Sequence, residues 1–237
     1  MKFLENYINS IKYEETKQTI RDVTYEIFEK HLQDYDYQSN VNGLLLGEVQ
    51  SGKTGQMFGV IAAAADRDFE FFIVLTTDNK RLQEQTFKRA LDVFPEFCVC
   101  NENDELRLKM NKMRKPVIII LKKNTSILKK WRNIIINSNF LDGRSLFIID
   151  DEADAASLNT KINNNEVSPI NKNIADIRNT AVSCIYLQVT ATPQAVLLQT
   201  DESDFKPQFI TYFSPGKLYL GGDFFFSKPE SYCIRYV

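Results

Sequence analysis

The octapeptide Gly47-Glu48-Val49-Gln50-Ser51-Gly52-Lys53-Thr54 fits the pattern G-x-x-x-x-G-K-[ST], whose chemistry is the holding of a polyphosphate. Glycines let the backbone wrap closely around phosphate oxygens, and amide hydrogens at a helix start present positive potential to them. In such a loop Lys53 reaches the terminal phosphates and the Thr54 hydroxyl ligates magnesium. The octapeptide follows the apolar run Leu44 to Leu46 and precedes an alanine-rich helical stretch. Strand, loop and helix thus come in the order the motif needs, which an ordinary glycine turn does not require.

A second cluster suits the same ligand. Leu146-Phe147-Ile148-Ile149 is a buried-strand pattern that runs into Asp150-Asp151-Glu152-Ala153-Asp154. In-line phosphoryl transfer to water needs a carboxylate for the hydrated metal and a second to orient and deprotonate the nucleophile. Matching Asp-Glu-Ala-Asp as a unit gives the metal to Asp151 and the base role to Glu152, whereas strand position alone would give the metal to Asp150. An acidic helix start would explain the tetrapeptide in isolation, but not its pairing with the loop.

Further polar segments close other apolar runs. Thr190-Ala191-Thr192-Pro193 follows Cys184 to Val189 and resembles the Ser/Thr-Ala-Thr element that couples nucleotide state to domain movement in superfamily-two helicases. Thr76-Thr77, with Leu82 and Gln85 beyond it, resembles the first nucleic-acid-contacting segment of those proteins. Lys122-Lys123-Asn124-Thr125 occupies a second such place. Both are candidates to grip phosphates through helix N-termini and hydroxyls, although polar loops end buried strands in any case. His31 lies in a charged stretch and reads as solvated surface, Trp131 reads as core, and Gln18 is a candidate adenine reader.

Taken with Ala156 to Thr160, Arg81-Leu82-x-x-Gln85-Thr86 and Tyr219 to Gly222, these motifs resemble the bacterial "Z-one" domain family over about residues 40–225. That family is described as an endonuclease domain associated with a superfamily-two helicase ATPase, and is found with restriction-modification and phage-defence genes. The resemblance implies ATP rather than GTP, Mg2+, DNA as the favoured nucleic acid, and a second RecA-like domain or partner subunit that supplies arginines to the transition state. The sequence has no Asp…Glu-x-Lys or histidine-metal constellation, so no nuclease residues are assigned.

The elements that must position these residues alternate along the chain. Short apolar runs at 44–46, 71–75, 97–100, 117–121, 146–149 and 184–189 are separated by helical patterns at 53–65, 79–94, 103–114 and 125–137. That order predicts a RecA-like α/β domain over 39–204, a mostly parallel sheet with helices on both faces. Residues 1–38 read as an N-terminal helical segment with two helices. Asn159 to Asn173 reads as a long surface loop before a helix near 173–182. Residues 205–237, with Phe209 to Phe213 as a strand, read as the start of a following segment, and the strand-like pattern from Tyr232 to Val237 leads us to expect a longer polypeptide.

Composition sets outer bounds. The chain has 237 residues, 43% hydrophobic and 12% aromatic, enough for one substantial core. A formal net charge of -2 gives no overall basic field, which leaves room for a local basic groove. Cys98, Cys100, Cys184 and Cys233 form no Cys-x-x-Cys pair, so buried reduced thiols are expected. With no secretion signal or membrane-length apolar run, a cytoplasmic location is expected. A nucleotide-gated interaction module without motor activity, or a P-loop kinase, would share the phosphate loop; a kinase would not require the Asp-Glu-Ala-Asp and Thr-Ala-Thr pairing.

Overall fold

The computed structural model describes residues 2–48, 51–111, 113–154, 168–199 and 203–214. Seven strands form one sheet: β1 Asn40–Gly47, β2 Phe71–Thr76, β3 Cys98–Asn101, β4 Val117–Lys122, β5 Ser145–Asp151, β6 Ser183–Thr190 and β7 Phe209–Phe213. Their spatial order is β3-β4-β2-β5-β6-β1-β7, and every neighbouring pair is parallel. Phe209 to Phe213, read from the sequence as part of a following segment, is therefore the edge strand beside β1.

The helices are α1 Phe3–Ser10, α2 Glu14–Tyr25, α3 Lys53–Ala65, α4 Lys80–Val93, α5 Glu105–Asn111, α6 Thr125–Ser138, α7 Pro169–Arg178 and the short α8 Gln194–Leu197. A π-helical turn, Glu26–His31, continues α2, and the Leu32 amide donates to the Ile27 carbonyl at 2.9 Å. Helix α7 starts four residues before the expected 173. Pro169 sits in its first turn, where an amide hydrogen has no helical partner to lose, and the Ser168 hydroxyl accepts from the Asn171 amide. Helix α5 is shorter than its apolar pattern, since Met113 adopts a left-handed φ of 55° just beyond it. The expected loop at 159–167 lies outside the described residues. Among those described, no helix is long and apolar enough to cross a membrane.

Strict alternation divides the central strands between two cores. Phe72, Val74, Phe147, Ile149, Ile185 and Leu187 pack with α1, α2, α3 and α4. Phe71, Ile73, Leu146, Ile148 and Tyr186 pack with α6 and α7, around the buried Trp131. This two-sided burial is why the strands read as unbroken apolar runs. It also fixes which face a residue at each strand end must take.

The N-terminal segment is fastened to the phosphate-loop helix. Asp66, just past the end of α3, accepts from the amides of Lys2, Phe3 and Leu4 at 2.7, 2.8 and 3.0 Å. At the other end of α3 the Tyr7 hydroxyl donates to the Gly55 carbonyl at 2.8 Å. Gly59 lets α2 lie close, because a Cβ there would stand 2.4 Å from Ile20 Cγ2.

Candidate functional site

Along the carboxyl edge of the sheet the strand order sets the order of the motifs. Gly47 ends β1, Thr190 ends β6, Asp151 ends β5, Thr76 ends β2 and Lys122 ends β4. Leu46 registers with Thr190, Asp151 with Val189, and Thr76 with Lys122. Segments far apart in sequence therefore share one rim. Below it lies a cleft of about 720 Å³ lined by Gly52, Lys53, Thr54, Thr76, Thr77, Leu82, Gln85, Thr86, Arg89, Asp151, Glu152, Ala191 and Thr192.

On one side of the cleft is the start of α3. Gly52, the residue before it, takes a φ of 88°, a left-handed conformation that glycine adopts freely. No side chain among the described residues caps this helix N-terminus, which leaves its positive end facing the cleft. The Ser51 amide donates to the Glu48 carbonyl at 3.1 Å, while the buried Ser51 hydroxyl has no hydrogen-bond partner among the described residues. Lys53 Nζ lies 3.5 Å from the Glu48 carbonyl oxygen and 3.7 Å from Glu152 Oε1. Glycine is also required at 47, where a Cβ would meet the Phe213 ring at 2.2 Å. Val49 and Gln50 lie outside the described residues.

The opposite side is the acidic turn. Asp151 has the same strand parity as Phe147 and Ile149, so it faces the α3 side and lines the cleft. Burial, and then the neighbouring Glu152 carboxylate, push its pKa up to about 6. Asp150 has the opposite parity and is fully buried on the other face. There Lys123 Nζ stands 2.9 Å from its Oδ1 and the Tyr186 hydroxyl donates to its Oδ2 at 2.5 Å. The ammonium makes its directed hydrogen bonds to the carbonyls of Asp151 and Glu152, at 2.8 and 2.6 Å, which leaves Asp150 Oδ1 an ion-pair contact without hydrogen-bond geometry. Glu152 holds a left-handed φ of 53°, uncommon outside glycine.

Asp154 ties this turn to Thr-Ala-Thr. It accepts from the Thr190 hydroxyl at 2.6 Å and the Thr192 hydroxyl at 2.5 Å. Partial burial raises its pKa, but those two hydroxyls outweigh it and the net shift is downward. The Ala153 amide adds a hydrogen bond to the Val189 carbonyl at 3.1 Å.

The segments expected to touch nucleic acid divide. Thr76, Thr77 and Gln85 line the cleft itself, and the buried Thr77 hydroxyl has no partner among the described residues. Lys123 cannot be a surface contact, because its side chain is wholly screened from solvent and engaged with Asp150. Lys122 is also engaged, 3.6 Å from a Glu102 carboxylate oxygen and 4.0 Å from one of Asp78. Asn124 caps α6 by accepting from the Ser126 and Ile127 amides and donates to Asp78 at 3.0 Å. Asn79 caps α4 in the same way, accepting from Arg81 and Leu82. The N-termini of α4 and α6 are thus already partnered, while Thr125, Lys80 and Arg81 are exposed beside them. Gln18 is exposed and donates to Asp22, away from the cleft.

Sequence reasoning gave no role to Asp154, Tyr186 or Arg89. For Asp154 and Tyr186, strand parity and neighbouring hydroxyls are signals that appear once strand order is known. Arg89 carries no motif. It enters the cleft because it lies one helical turn beyond Gln85 on α4.

A family model described as "Type III restriction enzyme, res subunit" matches residues 3–195. Among solved structures, the chain is similar to the Pyrococcus furiosus Hef helicase domain, at 17% identity and TM-score 0.50, covering 79% of this chain and 38% of that one. It is also similar to a nuclease-deletion mutant of the Type ISP restriction-modification enzyme LlaGI in complex with a DNA substrate mimic, at 14% identity and TM-score 0.51, covering 94% of this chain and 21% of that one. The chain thus spans well under half the length of either. At these identities the likeness is one of fold. A search among curated proteins finds no match.

Proposed function

From the premise that the chain belongs to the family described as Type III restriction enzyme, res subunit, we propose that its cleft binds ATP with Mg2+ and hydrolyses it as one half of a helicase-like motor. The observation that carries this reading is the facing of Lys53 and Glu152 across one cleft, 3.7 Å apart, with Thr54 and Asp151 on the same walls. The residues fit the ligand: among the described residues no side chain caps the start of α3 and none pairs with the Ser51 hydroxyl, and Asp151 presents a carboxyl to the same cleft. Among the described residues no three acidic, histidine or cysteine side chains are placed to hold a metal ion by themselves. A magnesium ion here would be held by Thr54, Asp151 and phosphate oxygens, and would supply charge neutralisation at the phosphates.

In this reading Lys53 and the start of α3 bind and orient the terminal phosphates. Glu152 orients the attacking water and accepts its proton, while Asp154 holds Thr190 and Thr192 where they register the state of the cleft. Nucleic acid, with DNA favoured, lies across the exposed residues at the starts of α4 and α6, near Thr125, and a second RecA-like domain or partner subunit completes the transition state. The "Z-one" resemblance, with its links to restriction and phage defence, belongs to the same proposal.

The test is a phosphate-release assay alongside binding of a fluorescent ATP analogue. Lys53→Ala loses binding, whereas Glu152→Gln keeps it and loses turnover by about a hundredfold or more. Unchanged hydrolysis in either variant removes the role given to that residue.

A further inference from the structure

The roles above leave one buried ion pair without a task. The Lys123 and Asp150 side chains are each wholly screened from solvent, 2.9 Å apart, on the face of the sheet away from the cleft. Two charges in so dry a place lose their hydration, and apolar replacements are often as stable, so cohesion alone accounts poorly for the pair. Its geometry points elsewhere. The same ammonium donates to the carbonyls of Asp151 and Glu152 at 2.8 and 2.6 Å, the two residues that enter the left-handed turn. From behind, the Tyr186 hydroxyl fixes Asp150 through a 2.5 Å hydrogen bond.

We propose that Lys123 is a positioning residue for the acidic turn: its ammonium, held by Asp150 and Tyr186, draws two consecutive carbonyls to the far face of the sheet and so turns the Asp151 and Glu152 side chains into the cleft. Its consequence for turnover rests on the ATPase reading, but the geometry does not. The compact ammonium matches two carbonyl acceptors while keeping the Asp150 carboxylate as its counter-ion. The planar fork of arginine does not, and methionine, of similar length, has no donor at all.

The experiment compares the whole chain with Lys123→Met and with the double variant Lys123→Met/Asp150→Asn, which removes the unpaired buried charge that the single change leaves. Fluorescence of Trp131 follows unfolding, and the double variant recovers most of the melting temperature that the single one loses. In nucleotide-free double variant, amide exchange at residues 151–154 is faster than in the parent by about tenfold or more, with α6 unchanged. With ATP, kcat falls about tenfold or more while KM moves less than about threefold. Parental exchange at 151–154 in a folded double variant overturns the proposal, and so does parental kcat. Should the parent itself bind no nucleotide, the ATPase reading fails and exchange alone decides whether Lys123 sets the turn.

Discussion

Glu152 Oε1 stands 3.7 Å from Lys53 Nζ, so the two side chains assigned opposite tasks are each other's counter-ions. A phosphate entering the loop must take Lys53 away from Glu152. Glu152→Gln removes that competitor, and the affinity for an ATP analogue rises by about threefold, the scale of a partly exposed ion pair, while hydrolysis is lost. Titration with a fluorescent analogue reads this, and affinity lowered by the same substitution would contradict the competition.

Asp151 makes the protein sensitive to pH when no metal is present. Its pKa is about 6 in the folded protein against an ordinary 3.8, so between those values the native state holds more proton than the unfolded one. Stability from this group is complete below about pH 4 and is lost as pH rises through 6. In chelator-treated protein Asp151→Asn therefore stabilises at pH 7.5, by at most about 3 kcal/mol, and the gain vanishes toward pH 4. Denaturant titrations followed by Trp131 measure it, and a gain that is the same at both pH values counts against the shift.

The core strands were legible because a sheet covered on both faces writes itself as unbroken apolar runs, and α3 because the phosphate loop announces it. Which of Asp150 and Asp151 faces the cleft was not. It depends on which face of β5 looks toward α3, and that parity becomes visible only once Phe147 and Ile149 are seen packed on the α3 side. Lys123 misled for a related reason. Two lysines after a strand look like surface, yet one alternates inward to a carboxylate contributed by a strand two places away in the sheet. Pro169 read as loop although a helix's first turn accepts proline.

The edge strand β7 packs against glycine. A Cβ at Gly43 would stand 2.2 Å from Phe209 Cζ, and His31 stacks on that ring with centroids 4.7 Å apart. Gly43→Ala therefore destabilises by about 1–3 kcal/mol through overpacking. In the double variant with Phe209→Leu, which removes the obstructing ring edge, the cost is less than the sum of the two single changes. Strict additivity in a double-mutant cycle of melts would place the strain elsewhere.

Asp66 holds three backbone amides at the start of α1, a cap supplied from another helix. Asp66→Ala leaves those donors to water and costs about 1–2 kcal/mol. The loss is local, so limited proteolysis cuts near residues 11–13 sooner while Trp131 fluorescence at low denaturant stays at its native value. Cleavage as slow as in the parent would mean that α1 is held by its apolar contacts alone.

Asp154 joins the acidic turn to Thr190 and Thr192 through two hydroxyl donors. Those bonds hold its pKa below the ordinary carboxylate value despite the burial that raises it. The native state then prefers the ionised form, so this contribution is present above about pH 4 and fades as pH falls through the native pKa. Asp154→Asn accordingly destabilises at pH 7, and the difference from the parent narrows in acid, a direction opposite to that of Asp151→Asn. The functional consequence separates the bond from simple cohesion. A turn no longer tied to Thr-Ala-Thr still presents Lys53, Asp151 and Glu152 to ATP, so basal hydrolysis persists while its stimulation by a DNA oligonucleotide is lost. Phosphate release measured with and without DNA gives that ratio, and a variant stimulated as strongly as the parent would show that Thr190 and Thr192 take their position from β6 alone.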